Sequence, residues 1–375
     1  MALKVGVVGI RGIGNRHADC HMEDELAELV AVCDIVPSRA DEAAEKHGVK
    51  AYYSLKDMLA NEELDIVDVC TGGPENGGWH YEPAMEAIAA GKNVLVEKPI
   101  SNDIEDAREM VAFAQEQNVY LGCNLNHYFT EPAEKAREAM DAGEIGEQVF
   151  CLHRMGFPGG ERTFSPGGPP NAKGFPYFHV KAFLAHPFSI MRYFCGDITH
   201  VQAFMGQPSF RKSAGDLMVS VNSIHVQFQS GAVGYLFSQR GDATMGMGGW
   251  WSVEVGGTKG TFCIENCVEQ YTFYPCPGTE GAAKPEKLGV GAAPPPTVHN
   301  TGVTDFSETF PRRIHAYLED VTNKVPKHEL RASGRDALAT LEYTFAAIES
   351  YEEGGELVRP NPLPIIKHIP AERES

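Results

Sequence analysis

The chain is 375 residues long, 43% hydrophobic and 22% charged, with a formal net charge of −19. That length exceeds the usual single-domain size and predicts two domains, each able to bury its own core. The acidic balance argues against nucleic acid or an anionic membrane surface as a partner, because binding there requires a basic surface that releases counterions.

No apolar run approaches the ~20 residues of a membrane helix. Met1-Ala2-Leu3-Lys4 runs straight into an apolar strand pattern, so no secretory leader is expected. The nine cysteines include no CxxC pair and suit reduced thiols, hence a cytoplasmic protein. Cys263, Cys267 and Cys276 fit no zinc spacing and read as small apolar residues; no metal is expected.

From the N-terminus, β-rich runs at 4–8, 28–32, 66–69, 93–96 and 119–122 alternate with helical stretches at 14–26, 38–47, 54–61, 80–90 and 103–117. Such alternation predicts a parallel sheet with helices on both faces. From about residue 148 the rhythm lengthens, with strands expected at 201–205, 217–229, 232–238, 252–255, 261–265 and 268–274 in a mostly antiparallel sheet. Ser230-Gly231 reads as a hairpin turn, and residues 275–304, with six prolines, as a loop or cover. Helices are expected at 305–323 and 334–353, the second opened by a Ser333/Asp336 capping box and stopped by Gly354-Gly355; an extended arm follows from Pro360.

Gly9-Ile10-Arg11-Gly12-Ile13-Gly14 follows the first strand and opens the first helix, where a glycine turn can cradle a pyrophosphate. Arg11 stands where the dinucleotide fingerprint has glycine, so the pattern alone reads equally as a structural turn. Asp34 closes the second strand and can accept the ribose hydroxyls of NAD while repelling a 2′-phosphate; its other reading is a turn aspartate. Arg39 and Arg11 leave some room for NADP. His17 and His21 share a helix face but lack a third ligand. Glu97-Lys98-Pro99 ends a strand, projecting Lys98 at the carboxyl edge of the sheet, where open α/β folds bind ligands. A lysine there can reach both a nicotinamide ring and a substrate hydroxyl.

Together these residues resemble the Gfo/Idh/MocA family of sugar and cyclitol dehydrogenases. The resemblance spans nearly the whole chain: the glycine turn with His17, Thr71 and His80, the stretch from Ala90 through Glu97-Lys98-Pro99, Asn126-His127-Tyr128-Phe129, Gly143 to Glu147, and Gly256 to Gly260. It implies an α/β fold: an N-terminal Rossmann doubly wound parallel sheet over 1–123, and a C-terminal α+β domain with a large, mostly antiparallel open sheet over 124–375 for substrate binding and oligomerisation. It further implies Gly9 to Gly14, Asp34, Thr71, His80, Glu97 and Lys98 on the cofactor, with NAD expected over NADP. Asn126, His127, His179, Lys98 and His186 are expected on a carbohydrate or polyol substrate, in a homodimer or homotetramer.

By the same resemblance, Lys98 positions substrate and His186 exchanges the hydroxyl proton as hydride moves between a secondary alcohol and nicotinamide. The family's aspartate four residues before the histidine is Ala182 here, and the one three residues after it is Ser189. A base needs an orienting partner. If 179–186 is helical, His179 falls on the His186 face and can replace the aspartate, although Pro187 can instead mark a helix start. His153, Arg154, Arg162, Lys173, Tyr177 and Lys181 form a basic stretch that reads as acid recognition or as a solvated loop. Trp250-Trp251 reads as an edge-strand or interface anchor. Two other readings of the fold stay open: an NAD-assisted glycosidase or eliminase, and a non-catalytic dinucleotide-binding sensor.

Overall fold

The computed structural model describes residues 2–157, 177–206, 220–240, 251–276 and 295–364. The N-terminal unit runs β1 (Leu3–Val8), α1 (Gly12–Glu23), β2 (Ala27–Cys33), α2 (Pro37–His47), β3 (Lys50–Tyr52), α3 (Leu55–Asn61), β4 (Ile66–Val69), α4 (Tyr81–Ala89), β5 (Asn93–Val96), α5 (Ile104–Glu116) and β6 (Leu121–Cys123). Its six strands are all parallel in the order β3-β2-β1-β4-β5-β6. The order reverses between β1 and β4, so the loops after these strands diverge and leave a crevice at their carboxyl ends. Val5, Val7, Ile66, Val67, Val94 and Leu95 are wholly buried, as strands covered on both faces must be.

The second unit comprises α6 (Glu131–Asp141), β7 (Gln148–Phe157), α7 (Phe178–Phe183), α8 (Ala185–Cys195), β8 (Ile198–Gly206), β9 (Val221–Phe228), β10 (Val233–Arg240), β11 (Trp251–Gly257), β12 (Gly260–Glu265), β13 (Gln270–Pro275) and β14 (Thr297–Asn300), followed by α9 (Thr309–Thr322) and α10 (Gly334–Glu352). Eight strands form an open sheet in the order β14-β13-β12-β11-β7-β10-β9-β8, antiparallel except where β10 meets β7. Its inner face packs α8 and α10 around Met155, Phe188, Met191, Ile224, Leu236 and Phe262. Its outer face exposes Phe204, Val233, Tyr274 and Val298.

The C-terminal helices also serve the first unit. Ile314, Tyr317 and Leu318 of α9 pack with Val5 and Val7 of β1, and buried Arg313 donates from Nε to the Cys123 carbonyl at 3.1 Å. Leu338 and Leu341 of α10 join the core beneath β5 and β6, while Arg108 of α5 grips Glu342 at 2.7 and 2.9 Å.

The expected parallel and antiparallel sheets are both present, and among the described residues five elements fall outside the expected set: β3, α6, β7, α8 and β14. β14 corrects the reading of 275–304 as wholly loop. Four residues long, it owes its strand geometry to pairing with β13, which local sequence does not encode. Residues 277–294 of that stretch, 217–219 of the expected 217–229 strand, and 365–375 of the C-terminal arm lie outside the described residues. The capping box holds, with the Asp336 amide on Ser333 Oγ and the Ser333 amide on Asp336 Oδ2.

Candidate active site

The glycine turn meets its steric requirement at two positions. Gly9 has φ +88°, and a Cβ there would lie 2.7 Å from the Cys70 backbone; a Cβ on Gly14 would lie 2.1 Å from the Gly9 carbonyl oxygen. Arg11 departs from the fingerprint without strain, because its backbone is extended at φ −99° with the side chain exposed. The first turn of α1 has no side-chain cap and no acidic residue, and the space at Gly12 is open. Ile13 is 46% exposed beside it. These N–H groups therefore suit a pyrophosphate.

Asp34 fits its reading as a turn aspartate and also braces the glycine turn. Its Oδ2 accepts from the Ile10 amide at 3.0 Å, tying the second strand to the glycine turn, and its Oδ1 accepts from the Val36 amide at 2.9 Å as a turn aspartate does. Arg39 Nη1 lies 3.7 Å from Oδ1. Thr71 donates its hydroxyl to the Trp79 carbonyl at 2.6 Å, and buried His80 holds the Pro99 carbonyl with Nδ1 at 2.8 Å. Burial pushes His80 down to about 4, so this ring stays neutral and props the loop after β5.

Lys98 leaves the carboxyl end of β5 through a cis peptide to Pro99. Its Nζ donates to the Ala182 carbonyl at 3.3 Å and stands 4.7 Å from the centre of the Phe183 ring. Arg240 lies 4.2 Å from the same ring centre. Burial lowers the Lys98 pKa, with Glu97 opposing and Arg240 adding to the fall; Arg240 itself is pushed down to about 9 by burial. The peptide of Ala182, where the resemblance implies an aspartate, thus anchors the lysine through a backbone oxygen.

His186 and His127 stack at 4.0 Å between ring centres, 26° from parallel. Trp251 stands edge-on to both, at 4.7 Å from His127 and 5.6 Å from His186, and Phe306 closes the cage at 5.1 Å from His127. His127 Nε2, His153 Nδ1 and His186 Nδ1 are buried with no hydrogen-bond partner. Burial holds His186 well below the usual histidine range, reinforced by His127, Lys98 and His153; His127 falls likewise, and His153 drops to about 3. Neighbouring positive charge and apolar walls therefore keep these imidazoles neutral.

Several expectations are corrected here. Residues 179–186 are not one helix: α7 and α8 meet at Leu184, and Pro187 sits in the first turn of α8, where a missing N–H costs nothing. His179 consequently lies on a different helix, with Nε2 3.3 Å from Ser238 Oγ and its ring 5.8 Å from Phe183. The imidazole stacked on His186 is that of His127. Ser189, at the second aspartate position, donates to the His186 carbonyl at 2.7 Å and so turns onto its own helix. Asn126 Nδ2 donates to Thr309 Oγ1 at 2.6 Å.

Trp251 belongs to an interior strand and faces the histidine pair, so it is no edge anchor. Trp250 lies outside the described residues, as do Arg162 and Lys173. Lys181 is committed to Glu75 at 3.1 Å, Tyr177 to Glu352 at 2.6 Å, and His153 is buried, which takes three of the six residues out of the supposed basic stretch, while Arg154 lies on β7. Sequence reasoning assigns His153, Phe306 and Arg240 no separate role; only the sheet register and the short 3-10 turn before α9 bring them to this place.

Residues 3–125 match the family described as "Oxidoreductase family, NAD-binding Rossmann fold", and residues 133–263 match its "GFO/IDH/MocA C-terminal domain". The chain belongs to the Gfo/Idh/MocA oxidoreductase family. An uncharacterized oxidoreductase of Streptococcus pneumoniae is 35% identical over 150 residues, 40% of this chain and 39% of that protein, so that match spans about two fifths of the relative's length. The myo-inositol 2-dehydrogenase of Thermotoga maritima is 28% identical over 277 residues, 71% of this chain and 76% of that one. Levoglucosan dehydrogenase solved in complex with NADH shares the Gfo/Idh/MocA fold with a TM-score of 0.78 to 0.79 and 17% identity over 96% to 97% of this chain and 100% of that chain.

Proposed function

We propose that this protein is an NAD-dependent dehydrogenase that moves hydride between a secondary alcohol of a sugar, sugar derivative or cyclitol and nicotinamide. The observation that carries it is that Lys98, on the carboxyl edge of the parallel sheet, lies close enough to the buried, stacked His186–His127 pair for its charge to lower the pKa of both rings. Gly12 to Gly14 would hold the pyrophosphate of NAD and Asp34 its ribose, and the bound nicotinamide would supply the hydride acceptor. Asp34 favours NAD over NADP, since a 2′-phosphate would meet its carboxylate.

In the oxidative direction His186, neutral at working pH, accepts the hydroxyl proton. Lys98, held by the Ala182 carbonyl, sets an ammonium against the oxygen as negative charge develops there. Preorganised charge of this kind acts strongly in a dry site and needs no reorganisation during the reaction. Trp251 and Phe306 exclude water and offer apolar faces to a sugar ring, while His127 crowds His186 with a second imidazole and disfavours its imidazolium. The proton therefore passes onward readily, and the reverse direction draws it from the same ring.

The test is a panel of sugars, uronates and inositols followed by NADH appearance, with NADP in parallel. Turnover with NAD is expected, and Lys98→Met should lower kcat at least ~100-fold. A protein that binds NAD yet yields no reduced cofactor across the panel, and oxidises none with the matching ketones, would sink this reading. We also propose a homo-oligomer formed through the outer face of the second sheet. Light scattering should return a dimer or tetramer, and Phe204→Glu with Val233→Glu should dissociate it.

A further inference from the structure

A charged network lies behind the active-site lysine, and every member is buried. His17 of α1 is fully enclosed, with Nδ1 2.9 Å from Asp68 Oδ2 and Nε2 3.0 Å from Glu97 Oε1. Glu97 Oε2 accepts the backbone N–H of Lys98 at 3.0 Å. His21 brings Nε2 to Asp68 Oδ2 at 2.8 Å, and the Cys70 thiol donates to Asp68 Oδ1 at 3.5 Å.

An imidazole with a carboxylate oxygen on each nitrogen must donate from both, and a ring that donates from both is an imidazolium. Asn124 Nδ2 also lies 3.3 Å from His17 Nε2, but its short bond is to Glu97 Oε1. If Nε2 accepted from that amide, its lone pair would face the Glu97 carboxylate at 3.0 Å, an arrangement that is repulsive. His17, Asp68 and Cys70 cluster tightly enough to suggest an ion site. Both His17 nitrogens are taken by carboxylates, so the ring has no lone pair left for an ion.

We propose that His17 is a permanently protonated positioning residue that bridges Asp68 to Glu97 and thereby fixes where Lys98 leaves the sheet and how much of Glu97's charge it feels. Asp68, Glu97, His17 and Lys98 then sum to zero charge, which is how a buried ionic cluster becomes tolerable. The groups facing His17 are Asp68 and Cys70 from β4 and the residues after it, His21 and Cys20 from α1, Glu97 and Asn124 beyond β5 and β6, and the Phe310 ring of α9 at 5.8 Å. Burial opposes a charge on His17, yet Asp68 holds its pKa well above the ordinary value. Because α1 also presents the glycine turn, the bridge ties the cofactor-binding helix directly to the catalytic lysine's backbone.

The role assigned to Lys98 rests on the dehydrogenase reading; the charge and position of His17 do not. Nitrogen-15 histidine spectra of the unmodified protein should show both His17 nitrogens protonated through neutral pH to about 8.5, well past an unperturbed histidine. A ring that is neutral near pH 7.5 overturns the proposal. In His17→Asn, Glu97 serves Lys98 alone, so the carbon-13 titration of the Lys98 side chain, assigned through Lys98→Met, should move up by about 1 pH unit. A midpoint that stays or falls overturns it. His17→Gln repeats the measurement should the asparagine variant not fold. With an active substrate, kcat should drop roughly 10- to 100-fold while KM for NAD holds. If no substrate turns over while both titrations behave as stated, the dehydrogenase reading fails and the bridge stands.

Discussion

Lys98 and His186 are tuned by what surrounds them more than by any single partner. For His186, burial comes first and three positive or ionisable neighbours follow, so its ring stays neutral well below 6.5. A base with a lowered pKa remains competent as pH falls, so the oxidation rate is expected to hold constant through pH 6.5, and a pH–rate profile checks this; an acid limb centred there would refute the assignment. His186→Ala should cost roughly 100- to 10,000-fold in kcat, read in single-turnover experiments. The type of these two residues was legible in the Glu97-Lys98-Pro99 stretch and in the histidine near 186. Their environment was not, because Ala182 acts through its backbone carbonyl, an atom every residue possesses.

Elements explain why His179 and His186 stand on different helices. A heptad step along one helix places His179 beside His186, but α7 ends at Leu184 and α8 opens there, with Pro187 in its first turn. Proline restricts its predecessor, which sequence can register, while the direction of the new helix is set by Phe188 and Met191 packing on the second sheet. Caps were more transparent, since they act within a few residues. Ser333→Ala breaks the box that opens α10 and should cost about 1 kcal/mol in denaturant unfolding. Because Leu338 and Leu341 of α10 share a core with the parallel sheet, the loss should appear in one cooperative transition for both units, observable by fluorescence and circular dichroism together.

The whole molecule carries an excess of buried neutral histidines, which ties its stability to pH. In the unfolded chain these rings protonate near 6.5, whereas in the fold His80 resists to about 4 and His153 to about 3. The unfolded state therefore binds more protons below 6.5. Stability is full above that value and falls as pH drops toward 4, by about 1.4 kcal/mol per pH unit for each ring. His17 has the opposite sign, its contribution being complete below 6.5 and lost as pH rises through its raised folded value. Denaturant midpoints from about pH 8 to about pH 5 check the acid side, where the decline should be steeper than surface carboxylates alone produce. Saturating NAD at 100 times its Kd should add about 2.7 kcal/mol, visible as a rise in Tm.

The order of elements in the N-terminal half, its glycine turn, Asp34 and the lysine after β5 are set by local chemistry: hydrophobic periodicity, backbone freedom at Gly9 and Gly14, and the approach of charge to a helix terminus. Sequence alone determined these. The second sheet's register, the return of α9 onto β1, the stacking of His127 on His186 under Trp251, and the bridge from His17 to Glu97 join residues scores of positions apart. No short-range pattern encodes such pairings, and only burial against the completed core decided which histidine meets which partner and whether it carries a charge.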